Sequence, residues 1–244
     1  MQEAIFGILL SALATGAGAI PILFFTRISS KVKATLLAFA SGVMMAATTF
    51  SLIPEALKPS NLYVVSAGLL AGTFALNFFE SHFTSDKLEI PKLNTQIDRK
   101  TLLVIVAITL HNLPEGLSVG VSYGAGAENL GAIIALAIGL QNAPEGFLVA
   151  IYLVKQQVSR TKALMIAALT GLVEIVPAII GYLLASEVKG LVPYGLSFAA
   201  GAMLFVIYKE LIPDSQEEEN ERFPTYAFAI GLIAMLGLIQ GFGV

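Results

Sequence analysis

LLVIVAITLHNLPEGLSVGV, Leu102 to Val121, is an apolar run of helix length with a histidine, an asparagine, a proline and a glutamate at its centre. About 20 mostly apolar residues are what an α-helix needs to cross a bilayer, so the run reads as a membrane span. An ionisable group at mid-membrane costs at least ~2.5–3.5 kcal/mol on insertion scales. His111 and Glu115 therefore need compensation, and their i, i+4 spacing puts them on one helix face. The pattern recurs in the next apolar run as QNAPEGFLVA, Gln141 to Ala150, where Gln141 and Glu145 share a face in the same way.

Composition supports the membrane reading. Hydrophobic residues make up 56% of the 244 and charged residues only 13%, the balance of a polytopic helical membrane protein rather than a soluble domain. There is no cysteine, which excludes disulfides, thiolate metal sites and cysteine nucleophiles, so any metal must be held by N and O donors. A net charge of −3 without a long basic tract argues against nucleic acid as a partner. The N-terminal run has no basic residue before it and is too long for a signal-peptide core, so it reads as a retained span.

Eight segments meet the length requirement: 4–25, 33–57, 61–82, 101–124, 129–154, 162–185, 190–213 and 224–243. They are too long and continuous for barrel strands, and they take up 1–244 as a single transmembrane domain. Arg27, Lys31 and Lys33 follow the first segment; Lys87, Lys92, Arg99 and Lys100 the third; Lys155, Arg160 and Lys162 the fifth; and Arg222 the seventh. Only Lys58 and Lys189 lie in the loops of the other side. The excess of Lys and Arg marks the cytoplasmic loops, so both termini are expected outside. The acidic run Glu217 to Glu221 then lies on the cytoplasmic side, as a solvated loop.

The chain also repeats. FASGVMMAATTFSLIPE (Phe39 to Glu55) aligns without gaps on FAAGAMLFVIYKELIPD (Phe198 to Asp214). More weakly, ALATGAGAIP (Ala12 to Pro21) aligns on ALTGLVEIVP (Ala168 to Pro177), and HNLPEG aligns on QNAPEG. Each match pairs an odd-numbered with an even-numbered segment, so the partners cross in opposite directions. The fold expected is an all-α polytopic membrane protein of eight transmembrane helices in a 3+2+3 inverted repeat, an architecture typical of secondary transporters with a site near the midplane.

Pro114 and Pro144 each free a backbone carbonyl and bend their helix. Asn112 and Asn142 sit one position round from His111 and Gln141, and Glu174 lies deep in the sixth segment with no Lys or Arg at matching depth. The one imidazole, two carboxylates and several amide oxygens of the two motifs suit a divalent first-row cation better than sodium or an organic solute, and the three carboxylates that Glu174 completes point to a bound cation, to protons, or to both in turn. A bare proline kink whose polar groups satisfy the freed backbone would account for one copy of the motif, but less well for two at one depth. Ser51 and Glu55 face the outer end of the second segment, and Glu210 and Asp214 the inner end of the seventh. They are candidates for the path in and out, or else solvated helix ends. His82 reads as interfacial. Gly42, Gly68, Gly72, Gly201 and Gly231 read as close-packing positions.

On HNLPEG in the fourth segment and QNAPEG in the fifth, the chain resembles the ZIP (Zrt-, Irt-like) family of divalent metal transporters, in particular its compact prokaryotic GufA-like and ZupT-like branch. The resemblance implies uptake of Zn²⁺, with Fe²⁺, Mn²⁺, Co²⁺ or Cd²⁺ as further substrates, across the plasma membrane into the cytoplasm. It implies a first metal position at His111, Glu115, Gln141 and Glu145, and a second at Asn112, Glu115, Asn142, Glu145 and Glu174, with Glu210 on the inner path. It also implies alternating access by an elevator-like motion of the site-bearing helices. The chain departs from the family at Gln141, where many members have His, at Asn142, where some have Asp, and at Lys209, where a His is common. The loop after the third segment has none of the histidines found in eukaryotic members.

The expected partners are thus divalent metal ions and the lipid bilayer, with a homodimer left open and no cofactor beyond the transported ion. A metal-selective channel is the nearest alternative. An intramembrane metal-dependent hydrolase is a more distant one, because HxxxE lacks the adjacent glutamate base of HExxH.

Overall fold

The computed structural model describes residues 1–25, 27–83, 99–127, 129–216 and 222–242, and every regular element among them is helical. Lys87, Lys92 and the acidic run 217–221 lie outside the described residues. The helices are α1 (Gln2–Ala19), extended by a 3₁₀ turn Ile20–Leu23; α2 (Ser30–Ala47); α3 (Ile53–Leu57); α4 (Leu62–Phe83); α5 (Arg99–Ala125); α6 (Leu130–Lys155); α7 (Arg160–Leu172); α8 (Ile175–Glu187); α9 (Val192–Val206); α10 (Ile212–Ser215); and α11 (Phe223–Phe242).

Among the described residues seven continuous helical stretches are long and apolar enough to cross a bilayer: Gln2–Leu23, Ser30–Leu57, Leu62–His82, Leu130–Lys155, Arg160–Glu187, Lys189–Ser215 and Phe223–Phe242. Each begins and ends within about three residues of an expected segment, close to the usual scatter of helix ends. The remaining long helix is α5, whose 27 residues include the first polar motif. Phe6, Leu70, Phe74, Val176 and Ile233 are each more than half exposed on the outside of the assembly. An apolar surface of that extent needs lipid rather than water around it.

Local sequence sets the interruptions. α2 runs into a π-helical turn, Thr48–Leu52, and α9 into another, Ile207–Leu211. In each the closing amide bonds five residues back, Ile53 N–H to the Thr48 carbonyl and Ile212 N–H to the Ile207 carbonyl. A proline follows at once, Pro54 or Pro213. Proline has no N–H to give and its ring crowds the carbonyl four residues earlier, so a widened turn there relieves both problems.

Packing divides the helices into two groups. In one, α1 lies along α6 and α5 along α8, with α7 against α1 and α6; in the other, α2 lies along α11 and α4 along α9. The groups meet where α6 crosses α2 and α5 crosses α9. The stretches Ser30–Leu57 and Lys189–Ser215 are 67% and 61% buried over their apolar windows, against 22% for both Leu62–His82 and Phe223–Phe242. The second group therefore presents α2 and α9 inward and α4 and α11 outward.

Small residues permit the close pairs. A Cβ on Gly42 would lie 2.1 Å from the Phe228 carbonyl oxygen, and one on Gly231 would lie 2.1 Å from that of Phe39. The α2 and α11 backbones thus touch at reciprocal glycines, as Gly72 and Gly201 do for α4 and α9. Gly68 completes the expected set against the Ser197 side chain.

Candidate metal site

The two polar motifs lie on α5 and α6, and both Pro114 and Pro144 fall inside continuous helix. Glu174 sits where α7 ends at Leu172 and α8 begins at Ile175. Val173, Glu174 and Val176 there make three-residue turns back to Thr170, Gly171 and Val173, and Pro177 follows in the first turns of α8. Gly116 brings this break against α5: a Cβ on it would stand 2.2 Å from the Glu174 carbonyl oxygen.

His111, Asn112, Glu115, Gln141, Asn142 and Glu174 are all buried, and Glu145 is partly buried. Three side-chain pairs organise them. The Gln141 amide donates to Glu115 Oε1. The Asn142 amide donates to Glu174 Oε1 at 2.7 Å and to the Ser11 carbonyl of α1 at 3.1 Å. His111 Nε2 lies 2.6 Å from Glu210 Oε2 in the π turn after α9, an ion-pair distance without hydrogen-bond alignment. Asn112 donates to the Thr170 carbonyl at 2.7 Å and so ties α5 to the end of α7. Glu145 is an electrostatic neighbour of His111, Glu210, Glu115 and Glu174.

Each of these pairs uses only part of its hydrogen-bonding capacity. Glu115 Oε2, Gln141 Oε1, Asn142 Oδ1 and Glu174 Oε2 are buried acceptors that receive no hydrogen bond. Leaving a buried polar atom unsatisfied costs about 1–3 kcal/mol, more when it is charged. Four acceptors with no donor among them suit a cation. Among the described residues no three His, Asp or Glu side chains converge to metal-holding distance. The carboxylates instead rest on amide partners, and His111 rests on Glu210.

Not every candidate residue falls here. Ser51 is buried in the first π turn and its hydroxyl has no partner. Glu55 pairs with Lys58 at 2.6 Å, beside a lysine that is largely exposed. Asp214 is exposed on α10. His82 Nδ1 donates a hydrogen bond to the Phe78 carbonyl at 3.2 Å and packs on the Phe78 ring, at the end of α4. Sequence reasoning missed the contribution of α1. Ser11 supplies a carbonyl to Asn142, and the buried, unpartnered Thr15 hydroxyl lies against the position of a Cβ on Gly171. The weak match of Ala12–Pro21 to Ala168–Pro177 was the only signal available for that element.

A family model described as ZIP Zinc transporter matches residues 79–244. The chain is 37% identical to the zinc transporter GufA of Myxococcus xanthus over 96% of its own length and 97% of that protein. It is 32% identical to the zinc transporter ZIPB of Bordetella bronchiseptica, covering 94% of this chain and 78% of that one. It is also 30% identical to the zinc transporter ZupT of Escherichia coli O81, over 97% and 96% of the two chains. The family is one of transporters and not of enzymes, and the apolar helices make this a multi-pass membrane protein. The chain belongs to the ZIP zinc transporter family.

Proposed function

We propose that the protein is a carrier for divalent transition-metal ions, Zn²⁺ foremost and Fe²⁺, Mn²⁺, Co²⁺ or Cd²⁺ in addition, moving them across the plasma membrane into the cytoplasm. The observation that carries this is the set of four buried, unpartnered acceptor oxygens on Glu115, Gln141, Asn142 and Glu174, beside His111 and Glu145. The first ion takes His111, Glu115, Gln141 and Glu145. A second position uses Asn112, Asn142 and Glu174 with the shared Glu115 and Glu145. It is the weaker one, since Asn142 supplies an amide in place of a carboxylate. Ligation requires Gln141 and Asn142 to turn from donor to acceptor and His111 to leave Glu210. Such changes are rotations of side chains about fixed helices.

The remaining elements of the reading concern topology and movement. Residues 1–244 form one domain of eight spans, three plus two plus three. In support, the π turns Thr48–Leu52 and Ile207–Leu211 stand at matching places of the aligned segments, and so do Gly42 and Gly201. The pairing of α1 with α6 answers that of α8 with α5, and the pairing of α2 with α11 answers that of α9 with α4. Alternating access is then movement of the site-bearing group α1, α5, α6, α7 and α8 against the other four spans. The close glycine-to-backbone contacts lie within the groups, which favours each moving as a body. Both termini lie outside, from the excess of Lys and Arg in the loops of the opposite side. Ser51 and Glu55 mark the way in, and Glu210 and Asp214 the way out.

Reconstitution in liposomes holding a metal-sensitive dye tests the assignment. Glu115→Ala and Glu145→Ala are expected to abolish saturable Zn²⁺ flux. Flux in either variant equal to that of the unaltered protein would place the site elsewhere.

A further inference from the structure

An asparagine just ahead of a helix ordinarily turns its side chain back to accept from the second or third amide of that helix. Asn129 precedes α6, and its carbonyl accepts from the Ile133 N–H at 3.0 Å. Its side chain makes no such cap. The backbone there is left-handed, with φ 60° and ψ −10°, a conformation that asparagine, aspartate and glycine adopt more readily than other residues. The side chain reaches instead to α11, where its amide donates to the Phe242 carbonyl at 2.9 Å. Phe242 is the last residue of α11, and the final carbonyls of a helix have no partner within it.

What sets this bond apart is the pair of groups it joins. Within the site-bearing group, Arg160 at the start of α7 donates to the Leu23 carbonyl after α1 at 2.9 Å. Within the other, Thr73 of α4 donates to the Gly201 carbonyl of α9 at 2.9 Å, and the Lys209 ammonium lies 2.9 and 2.7 Å from the two oxygens of Glu80. Such ties hold each group together and survive any movement of one against the other. Asn129 belongs to the connection from α5 to α6 and Phe242 to α11, so their bond crosses between the groups, as the contact of His111 with Glu210 does. A slide of one group past the other by a helical turn, about 5.4 Å, parts a bond whose reach ends near about 3.2 Å. We propose that Asn129 is a latch: its amide on the end of α11 holds the site-bearing group in the arrangement seen here, and the bond must break before that group can move. The latch rests on the proposed movement of the two groups, and it makes Asn129 a positioning residue remote from the metal ligands.

Paired spin labels test it. The chain has no cysteine, so Tyr63→Cys on α4 and Glu187→Cys on α8, both exposed, place one label on each group. Pulsed electron spin resonance on the labelled protein in liposomes, with and without Zn²⁺, reads the distance between them. Two populations are expected, one of them at the distance of the arrangement seen here. Asn129→Gly keeps the left-handed backbone and removes the amide; it is expected to reduce that population about twofold to twelvefold relative to the other, the range that a single hydrogen bond carries. Asn129→Asp sets a carboxylate against the carbonyl and is expected to shift the balance at least as far, which keeps the test open should the glycine variant fail to fold. A bond that merely steadies the end of α11 would lower the melting temperature in both variants and leave the populations as they were. That result would overturn the latch, as would a shift toward the arrangement seen here. A single distance in every protein, with and without Zn²⁺, would defeat the movement of the groups and the latch with it, whereas two populations indifferent to both Asn129 variants would defeat the latch alone.

Discussion

Adding a single methyl group at Gly116 tests how tightly the site is assembled. A Cβ at Gly116 would stand 2.2 Å from the Glu174 carbonyl oxygen, 2.8 Å from its carbon and 2.9 Å from its Cα. These are backbone atoms, which cannot swing aside as a flexible side chain would. Restoring an ordinary contact of 3.4 Å requires α5 and the start of α8 to part by roughly 1.2 Å, an overpacking that costs about 1–3 kcal/mol. For a chain of this size that corresponds to a fall in melting temperature of about 2–12 °C. The same displacement moves Glu174 away from Asn142 and the α5 ligands, and disturbance of the partners that orient metal ligands costs about 10- to 100-fold in affinity or activity. Gly116→Ala is therefore expected to melt early in detergent and to transport Zn²⁺ about tenfold more slowly or worse. Gly237→Ala is the control, because nothing lies within 4 Å of its Cβ, and it should behave as the unaltered protein. If Gly116→Ala matched the control in both assays, the close approach of α5 to the break before α8 would have no part in building the site.

Asn142→Asp places a second carboxylate within hydrogen-bond distance of Glu174; it is expected to lower the melting temperature without metal and to tighten Zn²⁺ binding at the second position, so that two ions are held at concentrations that fill only the first position of the unaltered protein. Zinc at about 100 times its Kd should then recover about 2.7 kcal/mol, read as a larger metal-induced rise in melting temperature than the unaltered protein shows. Zn²⁺ affinity is expected to fall as pH falls, because protons compete for the same carboxylates and imidazole and binding must release them; isotherms at two pH values check it, and identical affinities would refute it. Lys58→Ala breaks the exposed i, i+3 pair with Glu55, worth at most ~1 kcal/mol, and should leave Zn²⁺ flux within about twofold of its starting value.

Hydropathy alone located the long helices, because apolar runs of bilayer length have few other uses. Their interiors were less legible. The π turns at Thr48–Leu52 and Ile207–Leu211 leave no mark in hydropathy, although the Ile-Pro-acid sequence after each is the signal of a backbone that must widen. The break at Val173 and Glu174 was foreshadowed by Pro177 but not located by it, since proline disturbs the turn that precedes it rather than a fixed position. In the candidate site, identical spacing within one helix put His111 with Glu115 and Gln141 with Glu145. The contacts between helices, His111 with Glu210 and Asn142 with Glu174, depend on which faces meet, and a periodicity does not encode that. Glu80 shows this most clearly. It lies at the end of α4 with no motif around it, and only the packing of α4 on α9 brings it to Lys209.

X-ray absorption at the zinc edge, on untagged protein loaded with Zn²⁺, reads the atoms that hold the ion. A metal site on α5 and α6 gives a shell of N and O donors at about 2.0–2.2 Å that includes a single imidazole. The imidazole scattering should vanish in His111→Ala and persist in His82→Ala, the chain having two histidines. An imidazole signal that survived in His111→Ala, or a shell unchanged by both His111→Ala and Glu115→Ala, would contradict a metal site built on the paired motifs of α5 and α6.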